Sequence, residues 1–371
     1  MLMRGKTKNQ CGEIKVTRKI LKISNTPLIT SECWTYYKFA IMQTSEYFND
    51  WIAGHMRMFI DKNGNALFGE SGTMYPLSYY SEILKIGESK IGSVKSNEIC
   101  QYLVDHINQG EYIILDLNYE KLYDDTTNDV RLHETLIFGY DLNEQVFFTP
   151  LLKNHVFEVE KIPFNTVISS YEDALNYYRQ DFKRIFNRRI WFYGITLIKP
   201  KYFYENTNKY FDLISKLKFQ LAGKVFTQKN FFSEQEENSY FTGISATKYF
   251  TELLKNKLDS QALISEGEAL RFAKSCLKIH ENQKIIYESL KWFFENIGGG
   301  NEDLSLFILE YEKNCKKTSI CVSLLYKYLV NRQESLLLRT VSNLEEIYTN
   351  EKHILENLIT ICSDVYTKKL L

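Results

Sequence analysis

Two side chains in this sequence are of a type and placement that could do chemistry together, Cys33 and His133. A thiol attacks as its thiolate, and a helix amino terminus favours that form because its unpaired N–H groups and dipole stabilise negative charge. Cys33 falls in the first turn of a helix predicted over residues 31–58, behind Thr30 and Ser31 as N-cap candidates. Glu32 beside it opposes the thiolate. His133 opens the β-rich run His133-Glu-Thr-Leu-Ile-Phe-Gly-Tyr140. A strand would hold its ring rigidly enough to serve as general base to a thiol on a facing helix. Asp116 ends a predicted strand over Glu111–Leu117 and is a carboxylate that could approach the pair, although a strand-end Asp is commonly a solvated cap. Asp141 reads as a turn residue rather than as a third catalytic member.

The other candidates for chemistry are weak. His55, His106, His155, His280 and His353 have no partners at metal-ligand spacing, and no CxxC pair occurs. Gly298-Gly-Gly300 stops a helix and is not a phosphate loop, since no strand precedes it and no Lys-Ser/Thr follows. Neither a metal nor a cofactor is expected.

The elements that must position Cys33 and His133 follow from periodicity and turn chemistry. An edge strand is expected over Ile14–Ile20. Trp34, Tyr37, Ile41, Phe48, Trp51 and Ile52 recur at helical spacing. Asp61-Lys-Asn-Gly-Asn65 is a turn. Residues 96–109 read as a helix with Ser96 as N-cap and Gly110 after its end. Residues 133–140 and 145–149 are two strands joined by Asp141–Glu144, a β-hairpin. Ile162–Tyr178 reads as a strand end and a helix, and Trp191–Ile198 as a further strand. Beyond about residue 205 the apolar spacing turns helical, in blocks at Tyr210–Leu221, Ala246–Leu258, Ala269–Ile297, Leu304–Cys315, Ile320–Val330 and Leu344–Val365. The expectation is an α+β amino-terminal domain over 1–200, with one layer of antiparallel strands against two or more helices. An all-helical, strand-free domain is expected over 205–371.

The 371 residues are enough for two such domains. Aromatic residues make up 15%, which favours large buried cores over disorder. Lys+Arg and Asp+Glu each number 46, so no excess of positive charge predicts a nucleic-acid partner. No stretch is long and apolar enough for a spanning helix or a secretory signal. An odd count of seven cysteines suits a reducing, cytoplasmic setting with all thiols free.

The segments Gly110-Glu-Tyr-Ile-Ile-Leu-Asp116 and His133-Glu-Thr-Leu-Ile-Phe-Gly-Tyr-Asp141 resemble the amino-terminal domain of the butirosin biosynthesis protein H family. That domain is similar to the papain-like peptidases that cut double-glycine leader peptides. The resemblance extends over residues ~25–200 and, more faintly, the helical tail. It implies a papain-like fold and a thiol that takes an acyl group from a carrier-protein thioester and passes it to an amine. Cys33 would be the nucleophile and His133 the base. The family's orienting Asp falls at Thr149, just ahead of Pro150, where a hydroxyl accepts a hydrogen bond but brings no charge. The family's oxyanion-donating Gln has no counterpart, Pro27 standing six residues before Cys33. Three readings follow: an acyltransferase or amide-forming enzyme of natural-product biosynthesis; a catalytically degenerate papain-like accessory protein; and a leader peptidase, which the missing oxyanion donor disfavours. The expected partner is an acyl or peptidyl carrier protein or a peptide, with no nucleic acid and no membrane, and with homo-oligomerisation left open.

Overall fold

The computed structural model describes residues 16–69, 77–90, 92–124, 130–153, 156–180, 194–230, 233–260 and 264–371. Cys11, His155 and the first residues of the strands expected at Ile14 and Trp191 lie outside them. In chain order the elements begin with strand β1 (Arg18–Ile20), helices α1 (Cys33–Met42) and α2 (Phe48–Gly54), strands β2 (Arg57–Asp61) and β3 (Ala66–Gly69), helix α3 (Leu77–Ile83) and strand β4 (Leu84–Lys90). There follow α4 (Ile99–Asn108), β5 (Tyr112–Asn118), α5 (Tyr119–Tyr123), β6 (Leu132–Ile137), β7 (Gly139–Asp141), β8 (Val146–Lys153), β9 (Val156–Pro163), α6 (Phe164–Gln180) and β10 (Gly194–Pro200). The remainder is α7 (Lys209–Ala222), β11 (Val225–Asn230), β12 (Ser233–Thr242), α8 (Gly243–Asp259), α9 (Glu266–Phe293), α10 (Glu302–Asn331) and α11 (Glu334–Leu370). The chain is a mixed α+β protein with several small antiparallel sheets and a helical carboxy-terminal part. Among the described residues no helix is long and apolar enough to cross a membrane.

Two compact units are present, residues 1–22 with 86–199 and residues 23–85 with 200–371. The chain leaves the first unit for good near residue 200, where the composition changes. Residues 23–85 group with the later helices because β2 pairs with β12, Phe59 opposite Thr242 and Asp61 opposite Tyr240.

In the first unit the expected single layer of strands is two four-stranded sheets, ordered β1-β7-β8-β9 and β4-β10-β5-β6. Only Phe138 separates β6 from β7, so one nearly continuous strand serves both sheets. The expected hairpin forms between β7 and β8, with Gly139 opposite Phe148. Asp141 shapes its turn by accepting from the N–H groups of Asn143 and Glu144 at 2.9 and 3.1 Å. Ile99, Leu103 and Ile107 of α4 and Val167 and Tyr171 of α6 share one core with Ile113, Leu115, Ile137 and Phe147. Ser96 is not the α4 N-cap expected from sequence: a 3-10 turn over Ser96–Glu98 leads into the helix. Gly110, at φ +78°, follows the helix end in the left-handed region that glycine enters cheaply.

In the second unit three expectations are corrected. The helix over 31–58 is two helices, because Thr44 and Ser45 turn the chain. The N–H groups of Thr44 and Ser45 reach Ile41 O and Met42 O, and the Thr44 hydroxyl also bonds to Ile41 O at 2.7 Å. Residues 205–371 are not strand-free, since β11 and β12 pair as a hairpin and join the sheet β11-β12-β2-β3. The ends of that hairpin, Val225-Phe-Thr227 and Tyr240-Phe-Thr242, suit a pleated ladder, and β2 supplies an edge to pair with. The two blocks at Leu304–Cys315 and Ile320–Val330 are the single helix α10, as no Gly or Pro interrupts them.

The helices bury Leu213, Leu217, Ile286, Leu290, Phe293, Leu304, Leu355 and Leu358 together. Within this unit Glu351 of α11 is fully buried. Its carboxyl accepts from Gln220 Nε2 at 3.1 Å, Gln283 Nε2 at 3.1 Å and Tyr311 OH at 3.0 Å, one donor from each of α7, α9 and α10.

Candidate functional site

His133 sits on β6 opposite Leu117 of β5, with its side chain about a quarter exposed. Its Nδ1 lies 2.7 Å from the carbonyl oxygen of Glu134. A carbonyl can only accept, so Nδ1 carries a proton, and in the neutral form of the ring the lone pair is at Nε2. The Glu134 carboxylate stands 3.8 Å from the same Nδ1. The ring packs on Tyr119 of α5, centroids 4.8 Å apart. Tyr119 is anchored in turn: its hydroxyl accepts from Leu152 N at 3.2 Å and lies 2.6 Å from the hydroxyl of Tyr123. The strand, the local carbonyl and the tyrosine thus fix an imidazole able to accept a proton at Nε2.

The two orienting groups considered in the sequence do not serve that ring. Asp116 is opposite Glu134, one residue out of step with the Leu117–His133 pair, so it lies on the other face of the sheet. It is fully buried there, accepting from Tyr178 OH, and is no solvated strand end. Thr149 on β8 is opposite Glu160 of β9 and fully buried. Its hydroxyl has no hydrogen-bond partner among the described residues. The tautomer of His133 is set instead by the backbone carbonyl of Glu134.

Cys33 is the first residue of α1 and half-buried. It belongs to the unit of residues 23–85 and 200–371, His133 to the other. The caps expected of Thr30 and Ser31 are not made. Glu32 occupies the N-cap position with extended backbone and no capping bond from its side chain. Its carboxylate pairs with Lys278 and accepts from Thr35 Oγ1 at 2.9 Å. Thr30 and Ser31 are engaged by Glu281 of α9. Glu281 Oε1 accepts from Thr30 N at 2.6 Å, Thr30 Oγ1 at 2.9 Å and Ser31 N at 3.0 Å, and Oε2 accepts from the Ser31 hydroxyl. Burial raises the Glu281 carboxyl above its ordinary value, against the lowering effect of these bonds. Tyr36, one turn on, is pushed up to about 12 by burial and by the neighbouring Cys33.

Of the cysteines, the six described are free thiols. Burial pushes Cys100 up to about 11, and Cys321 and Cys362 to about 12, so these three are poor nucleophiles. Among the described residues no group of three or more His, Cys, Asp or Glu side chains could hold a metal ion.

Sequence reasoning missed the partners of two histidines. His106 Nδ1 lies 2.5 Å from Glu111, just beyond its own helix, a spacing that the Gly110 turn makes readable. His55 meets Glu82 at 3.1 Å, and nothing in the chain between them signals it. No protein-family model matches this chain, and no curated protein matches it.

Proposed function

We propose that this is a papain-like protein that binds an acyl or peptidyl carrier protein or a peptide as an accessory factor in natural-product biosynthesis, without covalent catalysis of its own. The observation that carries the reading is the Glu281 clamp. Acyl transfer at Cys33 would need N–H donors for the oxyanion of a tetrahedral intermediate and an environment that favours a thiolate. The amides and hydroxyls just ahead of Cys33 are already given to a buried carboxyl group. The uncharged Thr149 and the burial of Asp116 under Tyr178 support the same reading, since neither engages the His133 ring and the Glu134 carboxylate stands 3.8 Å from its Nδ1, beyond hydrogen-bond reach.

The second reading, a thiol-dependent acyltransferase, draws on the half-buried position of Cys33 at a helix start and on the lone pair at His133 Nε2. Intact-mass spectrometry after incubation with S-acetyl-N-acetylcysteamine separates the two. The expected result is no acetyl adduct on the wild type, with Cys33→Ala equal to wild type in carrier-protein binding. An adduct that is present in the wild type and absent in Cys33→Ala would restore the acyltransferase.

A further inference from the structure

Within the unit of residues 23–85 and 200–371, a cavity of about 560 Å3 is lined by His55, Glu82, Phe203, Tyr204, Glu205, Asn206 and Asp212. His55 closes the end of α2, where its Nδ1 donates to Trp51 O at 2.6 Å and its ring stacks on Trp51 at 4.7 Å. Its Nε2 faces Glu82 at 3.1 Å. Asp212 is on α7 and accepts from Asn206 Nδ2 at 2.8 Å. Gly54 lets these two helices meet, since a Cβ there would stand 2.9 Å from Asp212 Cβ. Asp50 close by is neutralised by Lys209 at 2.6 Å. Glu82, Glu205 and Asp212 have no lysine or arginine partner among the described residues. Phe203 is 66% exposed, and its ring makes an edge contact with Tyr47 at 6.5 Å.

The lining therefore carries three carboxylates against one imidazole and stays net negative in either state of His55. That charge repels phosphate and carboxylate ligands and attracts cations. The cavity also has two aromatic rings, which suit the carbon stem and the face of an organic cation better than a hydrated metal ion. The phenol of Tyr204 responds to the same field: it is pushed up to about 12 by burial and then by the charge of Glu82, with Asp212 and Asp50 adding to it and Asn206 opposing. The burial part of that shift disfavours any charge, but the part set by Glu82, Asp212 and Asp50 penalises a phenolate and stabilises an ammonium.

We infer that this cavity binds an alkylammonium group, with Asp212 and Glu205 accepting from its N–H donors and Phe203 and Tyr204 covering its carbon stem. The ammonium comes from a free amine or from a lysine side chain of a peptide. The inference does not rest on the reading of Cys33 and His133. Calorimetric titration of the full chain at low salt tests it with 1,5-diaminopentane, the blocked peptide acetyl-Gly-Lys-Gly-amide and, as the uncharged control, 1,5-pentanediol. Saturable binding of either cation is expected, weakened about tenfold in Asp212→Asn, with no binding of the diol. Preference for the diamine would mark a free amine as the source, and preference for the peptide a lysine side chain. Glu205 lies exposed at the rim, so Glu205→Gln tests the site without touching the packing and should weaken binding several-fold. No binding of either cation, binding of the diol as tight as that of the diamine, or an affinity unchanged in Glu205→Gln would overturn the inference.

Discussion

Replacing Glu351 with alanine is expected to destabilise the protein by about 3 kcal/mol or more, read as a lowered midpoint in urea unfolding. The side chain is fully buried and receives hydrogen bonds from Gln220, Gln283 and Tyr311. Truncation strands those buried donors, each at a cost of roughly 1–3 kcal/mol, and opens a cavity besides. Glu351→Gln keeps the shape and two acceptor bonds, so it should fold and report on the proton instead. Burial raises the Glu351 carboxyl above its ordinary value of 4.5, and the bonds from Gln283, Tyr311 and Gln220 offset this only in part. A carboxyl whose folded value lies above the unfolded one stabilises fully below the unfolded value, and that contribution is lost as pH rises through the folded value. Wild-type stability should therefore fall as pH rises from about 4.5, and the slope should be shallower in Glu351→Gln. Glu281 is raised in the same way and keeps part of the slope in the variant. An identical slope in both proteins would show that Glu351 is not the titrating group.

Gly243→Ala should cost about as much, by a different route. Gly243 joins β12 to α8 at φ +55°, where a side chain costs about 1–2 kcal/mol. A Cβ there would stand 2.2 Å from the carbonyl oxygen of Gln220 and 2.8 Å from its carbonyl carbon, and backbone cannot swing aside as a side-chain tip can. The overlap adds roughly 1–3 kcal/mol. It is relieved only by shifting the end of α7, which carries the Gln220 side chain bonded to Glu351. The effects of Gly243→Ala and Glu351→Gln should accordingly be non-additive by about 0.5 kcal/mol or more in a double-mutant cycle of urea midpoints. Gly267→Ala is the control, because nothing lies within 4 Å of a Cβ at that helical position. It should stabilise by about 0.5–1 kcal/mol.

The parts of this fold that the residues alone make legible are those that close neighbours along the chain decide. The hairpin after His133 was readable because Asp141 bonds to amides two and three residues on. The long carboxy-terminal helices were readable because their apolar stripes repeat within one turn, and the strand β5 because Gly110 precedes it and the apolar run Tyr112-Ile-Ile-Leu115 opens it. The fixed ring of His133 was half readable: its strand was, while the carbonyl that holds its Nδ1 proton was not. Everything that depended on which surfaces meet was settled by tertiary structure. β11 and β12 form where helices alone were expected because β2, far back in the chain, offers an edge. Asp116 lies on the face away from His133 because register, which one residue's slip inverts, is set by the whole sheet. Glu281 takes the donors ahead of Cys33 from some 250 residues away, and His55, Glu82 and Asp212 come to one cavity from separate elements. Such pairings leave no periodic trace in sequence, since a buried carboxyl needs donors from whatever backbone packs against it, and packing is a property of the folded chain as a whole.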